Sequence, residues 1–147
     1  MRIYRWEFEP LSHLGPRQDV GAFFRDAAKN DSHNGPAVYV ETLDRRVPRL
    51  RGASSIAYVG QTKRGLAARY GGSGRSINAP ENLRIYRILL LRYEGMSLGR
   101  FKCRSAEHAR RIEGQILARY LRDHCELPPL NDRKGHRTQE EYVAMLR

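Results

Sequence analysis

A carboxylate stands where an apolar side chain belongs in SAEHARRIEGQILARYLRDH, the segment over 105–124. Ala109, Ile112, Ile116, Leu117 and Tyr120 recur at helical spacing and predict one buried stripe, with Arg110, Arg111, Arg119 and Arg122 mostly pointing away. Glu113 falls one turn after Ala109 and one turn before Ile116 and Leu117, so it shares that stripe or borders it. A carboxylate there loses hydration unless a cation compensates. Two readings follow. Glu113 is either a boundary residue paired with Arg110 or a ligand for Mg²⁺, an ion commonly held by one or two carboxylates together with waters and substrate phosphate oxygens. The five histidines form no H-x-x-x-H or H-E-x-x-H pair, and Cys103 and Cys125 form no C-x-x-C pair, so a structural zinc site is not expected.

The charge suits a phosphate-bearing partner. The chain has 147 residues with 27 Lys plus Arg against 16 Asp plus Glu, a formal charge of +11 and a pI near 10.3. Such an excess points to a polyanion, because contacts with phosphate release counterions and steer association. The excess is also local: between Asp44 and Arg75 there are eight Lys or Arg and a single acid. Arg45, Arg46, Arg49 and Arg51 surround Pro48, and Lys63, Arg64, Arg69 and Arg75 follow. These residues are expected to face a phosphate backbone, with Tyr70 and Tyr86 as candidates to stack on unpaired bases.

Composition narrows the class. At 40% hydrophobic and 29% charged residues the chain is too apolar for disorder and too polar for a membrane protein. Its longest aliphatic run, Ile88 to Leu91, is far short of a bilayer span, and MRIYRWEFEP has no apolar signal core. A reduced, cytoplasmic protein with no membrane partner is the expectation. The length fits one domain that needs no disulfide or metal staple.

The elements that must position these groups follow from periodicity. Residues 3–8 predict a strand with Tyr4, Trp6 and Phe8 on one side, and Val20, Phe23, Phe24, Ala27 and Ala28 predict a helix from Asp19 that stops before NDSHNGP. A strand over 37–42, an exposed basic loop over 43–55 and a strand over 56–60 come next. Residues 62–70 predict a short helix capped by Thr62, GGSG at 71–74 a connector, and 83–93, rich in Ile, Leu and Tyr, the central strand. Ser105 caps the long helix, which ends before PPLN at 128–131, and Thr138 with Glu141 makes a capping box for a last helix carrying Tyr142, Val143 and Leu146. The sum is a single α/β (α+β) domain over 1–147, with a small, mainly antiparallel sheet of three or four strands flanked by helices.

Taken in order, AVY at 37–39, YVGQTKRGLAAR from Tyr58 to Arg69, SAEHARRIEGQIL with Ala109 and Glu113, and PPLN ending at Asn131 resemble the GIY-YIG nuclease superfamily. The resemblance covers 37–131, about two thirds of the chain, leaving 1–36 as an N-terminal extension packed on the core and 132–147 as a C-terminal loop and helix. It implies a metal-dependent endonuclease hydrolysing DNA phosphodiester bonds, with RNA left open as a partner, through Tyr39, Tyr58, Arg69, Glu113 and Asn131. By that likeness Tyr39 receives the proton of the attacking water or only orients a metal-bound hydroxide, and Tyr58 holds the phosphate or the water. Arg69 contacts the scissile phosphate, Glu113 holds Mg²⁺ or Mn²⁺ at the leaving oxygen, and Asn131 orients Glu113 or braces the site. Tyr39 as a base needs its pKa of ~10 lowered by ~2 units, which Lys63, Arg64 or a metal-bound water would supply.

This chain departs from the family pattern in three places. Ala37 replaces the first glycine, no histidine follows Arg69 closely, and the 43–55 segment is longer than the usual hairpin, either as a substrate-contacting surface or as a decorated turn. Two other readings compete: a catalytically inactive basic nucleic-acid-binding module on the same fold, and a basic RNA-binding or ribosome-associated protein.

Overall fold

Two long neighbouring strands organise the chain, β4 (Ala37–Pro48) and β5 (Ala53–Thr62); the computed structural model describes residues 1–70 and 80–131, together with Ala144. Their β-branched and aromatic side chains favour the pleated backbone, and alternation divides β4 between two faces. Val38 and Val40 pack on one side, Tyr39 and Leu43 on the other. The segment expected as a loop over 43–55 is mostly sheet: β4 runs on to Pro48, β5 starts at Ala53, and Val47 pairs with Ser54. Only 49–52 are left as the hairpin tip, where Gly52 takes a positive φ of 70°.

The sheet has four antiparallel strands in the order β3–β6–β4–β5, where β3 is Glu9–Leu14 and β6 is Met96–Lys102. A small hairpin of β1 (Arg2–Ile3) and β2 (Trp6–Glu7) precedes it. Among the described residues helices flank the strands, which makes the fold α+β as the periodicity predicts. One face carries α1 (Val20–Asn30), α2 (Gly65–Tyr70) and α3 (Pro80–Tyr93), through Phe23, Phe24, Leu66, Tyr86 and Leu90. The other face carries α4 (Ala106–His124) and the N-terminal hairpin, through Trp6, Phe8, Ile112, Ile116 and Tyr120. Asp19 and Ser105 cap α1 and α4, accepting hydrogen bonds from the backbone N–H of Ala22 at 2.6 Å and of His108 at 3.0 Å.

Two further expectations are corrected. Residues 83–93, expected as the central strand, are helical: Pro80 opens α3, Glu81 suits its first turn, and Tyr86 and Leu90 are buried one turn apart. The hydrophobic richness of this segment has a helical period, not an alternating one. Residues 3–8 are not one strand but a hairpin bent at Tyr4, whose φ is 54°. The inner position beside β4 instead belongs to β6, whose signal is hidden because Gly99 and Arg100 interrupt its apolar run. Arg100 is buried there between Asp31, with which it forms an ion pair, and Glu9, whose carboxylate accepts from its guanidinium at 2.5 Å. The GGSG connector, the Thr138–Glu141 capping box and Arg75 lie outside the described residues. No helix among the described residues is long and apolar enough to cross a membrane.

The basic hairpin tip is docked against the end of α4. The Nε of Arg51 donates to the carbonyl of Asp123 at 2.8 Å, and its Nη2 donates to the carbonyl of Arg122. Arg49 donates to Leu127 O at 2.7 Å and pairs with Glu126 at 2.8 Å. Last-turn carbonyls at a helix C-terminus lack intrahelical partners and carry partial negative charge, so a guanidinium fork satisfies them. Arg51→Ala is expected to cost about 1 kcal/mol in urea unfolding, and Arg51→Lys, without the planar fork, to recover only part of it.

Candidate active site

Pairing of β4 with β5 sets Tyr39 directly opposite Gly60 and Glu41 directly opposite Tyr58. Glycine is required at 60 by a close approach: a Cβ there would lie 2.4 Å from Tyr39 Oη and 2.7 Å from Tyr58 Cε1. The two rings therefore converge over the glycine, with centroids 5.9 Å apart. From the last turn of α2, Arg69 Nη2 donates to Tyr58 Oη at 3.3 Å, and its guanidinium carbon stands 6.0 Å from the Tyr39 ring centre. Tyr70 meets Tyr39 edge to face at 5.7 Å.

Glu113 comes from the opposite layer. It is half-buried on α4 between buried Ile112 and Ile116, and its charge acts on Tyr58, helping to hold that phenol protonated. β5 is an edge strand, which lets a helix packed behind the sheet act on a side chain in front of it. Asn131 is fully buried and bonds the outer edge of β5: Val59 N–H donates to its Oδ1 at 2.9 Å, and its Nδ2 donates to Val59 O at 2.7 Å. Leu130 N–H donates to Ala57 O at 3.0 Å. PPLN thus acts as a short surrogate strand that closes an exposed edge and fixes the backbone next to Tyr58. The Asn131 side chain is thereby bonded to the β5 backbone beside Tyr58.

Beside Arg69 lies a cleft of about 350 Å³ lined by Gln61, Thr62, Lys63, Arg64 and Ala68. Thr62 is not the cap of α2. Its hydroxyl donates to Gly65 O at 2.9 Å and accepts from Arg64 N–H, folding the turn that presents Lys63 and Arg64, and the helix begins at Gly65. The structure brings Lys63 and Arg64 to Arg69, whereas the hairpin arginines turn to other partners: Arg45 to Glu94, Arg46 to the carbonyl of Ala53, Arg49 and Arg51 to the end of α4.

Proton affinities are set by burial. Tyr39 is wholly buried, and this, with Tyr58 beside it, pushes its pKa well above the usual value; Arg69 opposes the shift without reversing it. Tyr58 is raised for the same first reason. Burial therefore works against the lowering that a base role requires, and both phenols are neutral in the free protein. Tyr86 is also corrected as a base-stacking candidate: it is buried on α3, its ring packed against Phe24 at 5.6 Å, and its hydroxyl donates to Glu41 Oε2 at 2.8 Å.

Glu41 is the residue that reading by motif misses. It is fully buried on the Tyr39 face of β4, its Oε1 without a hydrogen-bond partner, and burial pushes its pKa up to about 7 against the opposing effects of Tyr86 and Arg69. The available signal was an acid two residues after Tyr39, in alternation with Ala37, Tyr39 and Leu43. Comparisons of the chain with family models, with curated proteins and with solved structures return no match.

Proposed function

We propose that this protein is a GIY-YIG-type, metal-dependent endonuclease that hydrolyses DNA phosphodiester bonds. The observation that carries this reading is convergence: Tyr58 Oη lies 3.3 Å from Arg69 Nη2, within the electrostatic reach of Glu113 and beside Tyr39, although these residues come from four different elements. The adjacent cleft is cationic through Lys63, Arg64 and Arg69, which suits a phosphate.

The residues fit a divalent ion of the Mg²⁺ kind. Among the described residues no group of three or more His, Cys, Asp and Glu forms a protein cage. One half-buried carboxylate, Glu113, within electrostatic reach of Tyr58, matches an ion that takes its other ligands from water and substrate. When bound, Mg²⁺ or Mn²⁺ would supply Lewis-acid stabilisation of the leaving oxygen. Arg69 would orient the scissile phosphate and offset charge on its non-bridging oxygens, and Tyr58 would donate to the same group. Tyr39, neutral and buried, would orient the nucleophile's side of the site through Tyr58 instead of accepting its proton. Asn131 would keep the strand bearing Tyr58 in register.

The burial of Tyr39 also favours a second reading, a basic module on this fold that binds nucleic acid without cutting it. Purified protein incubated with supercoiled, linear and single-stranded DNA, in Mg²⁺, in Mn²⁺ and in chelator, separates the two. Nicking that requires the metal supports the nuclease, and salt-sensitive binding without cleavage under any metal supports the module.

A further inference from the structure

Among the described residues Glu41 is a fully buried acid that the site's chemistry leaves unused. It faces the core cluster of Tyr39, Phe24, Tyr86 and Leu90, and only one of its oxygens is hydrogen-bonded, by Tyr86 Oη at 2.8 Å. A buried carboxyl with an orphan oxygen is costly, and such groups concentrate at sites where their proton is used. Its surroundings can be named element by element. Tyr39 stands two residues away on β4, Tyr58 directly opposite on β5, Arg69 and Tyr70 on α2, and Tyr86 on α3. On β6 its partner is Leu98, and Arg100 on that strand is paired with Asp31 and Glu9. Among these described residues Arg69 is the cation whose field favours the ionised carboxyl.

We infer that Glu41 is a positioning residue of the site: when an anion occupies the cleft and engages Arg69, Glu41 takes up a proton, so that the guanidinium is released from its buried counter-charge to the ligand. This rests on the nucleic-acid reading above. The linkage has a definite sign. Burial pushes the free Glu41 carboxyl up to about 7, and Tyr86 and Arg69 act against that shift. A phosphate that neutralises Arg69 removes that effect and raises the proton affinity of Glu41, so the complex holds more protons than the free protein. Affinity therefore falls as pH rises through 7. The proton balances simply, moving from solvent to the carboxylate on binding and back on release.

The test measures binding of the full chain to a labelled DNA duplex, in chelator and at constant ionic strength, between about pH 5.5 and 8.5. The informative quantity is the difference between wild type and Glu41→Gln, which keeps the shape without the charge and cancels every contribution common to both. Wild type is expected to lose roughly three- to tenfold more affinity than Glu41→Gln across that range. Tyr86→Phe removes the hydrogen bond that favours the carboxylate, and its inflection is expected at higher pH than the wild type's. Parallel profiles for wild type and Glu41→Gln, or a Tyr86→Phe inflection that is unmoved or lower, overturn the inference while leaving the nucleic-acid reading in place. Absence of binding at every pH overturns both.

Discussion

Gly60→Ala loses about 3 kcal/mol of stability or more in urea unfolding and removes the Tyr39–Tyr58 pairing as well, because overpacking a closed site forces either rotamers or backbone to move. The Cβ of the new residue would lie 2.4 Å from Tyr39 Oη, 2.5 Å from Tyr39 Cζ and 2.7 Å from Tyr58 Cε1. No small adjustment clears all three atoms. The Tyr39 side chain is wholly buried beneath α1, α2 and α3, and Tyr58 is tied to Arg69. Near-ultraviolet circular dichroism, which reports the tyrosine surroundings, is expected to change at denaturant concentrations where the variant is still folded. A variant with wild-type stability and an unchanged tyrosine spectrum would mean that the rings do not converge over residue 60.

Asn131→Ala is the second large effect, expected at about 2–4 kcal/mol. The Val59 N–H and C=O point away from β4 and are satisfied by the Asn131 side chain at 2.9 and 2.7 Å. Alanine leaves both backbone groups buried and unpaired, and each such group costs about 1–3 kcal/mol. Asn131→Asp is the sharper control, since it keeps the acceptor for Val59 N–H but replaces the donor to Val59 O with a second acceptor. It should be at least as damaging as alanine near neutral pH. If both variants unfold with the wild-type midpoint, PPLN does not brace β5.

Much of this architecture was legible in the sequence, and the failures share a physical cause. Helices α1 and α4 were readable because their apolar stripes and their caps, Asp19 and Ser105, agree. α3 misled because Ile85, Ile88 and Leu91 are apolar yet exposed, filling in the pattern until its helical period was hidden. β6 escaped because an inner strand can carry Arg100 once Asp31 and Glu9 are brought to it from elsewhere in the chain. That compensation is tertiary, and no local window contains it.

The site divides the same way. Glu113 stands out by its place in a helical stripe, whereas Tyr39, Tyr58 and Arg69 follow from the family resemblance; the fold sets those three side by side, with Glu113 acting on Tyr58. Arg49 and Arg51 read as free charge because the carbonyls and acid that receive them, from Arg122 to Leu127, lie over seventy positions away. Glu41 was invisible for a simpler reason: a strand acid reads as solvent-facing until α3 is known to cover it.

The central claim is tested most directly by single-turnover cleavage of supercoiled DNA in Mg²⁺, with wild type, Glu113→Ala and Tyr58→Phe compared at protein concentrations that saturate binding. The site described above predicts metal-dependent nicking by the wild type, abolished by chelator, and a loss of about 100-fold or more in both variants while their affinity for DNA in chelator stays close to that of the wild type. Cleavage by Glu113→Ala at the wild-type rate, or wild-type cleavage that continues in chelator, would contradict it.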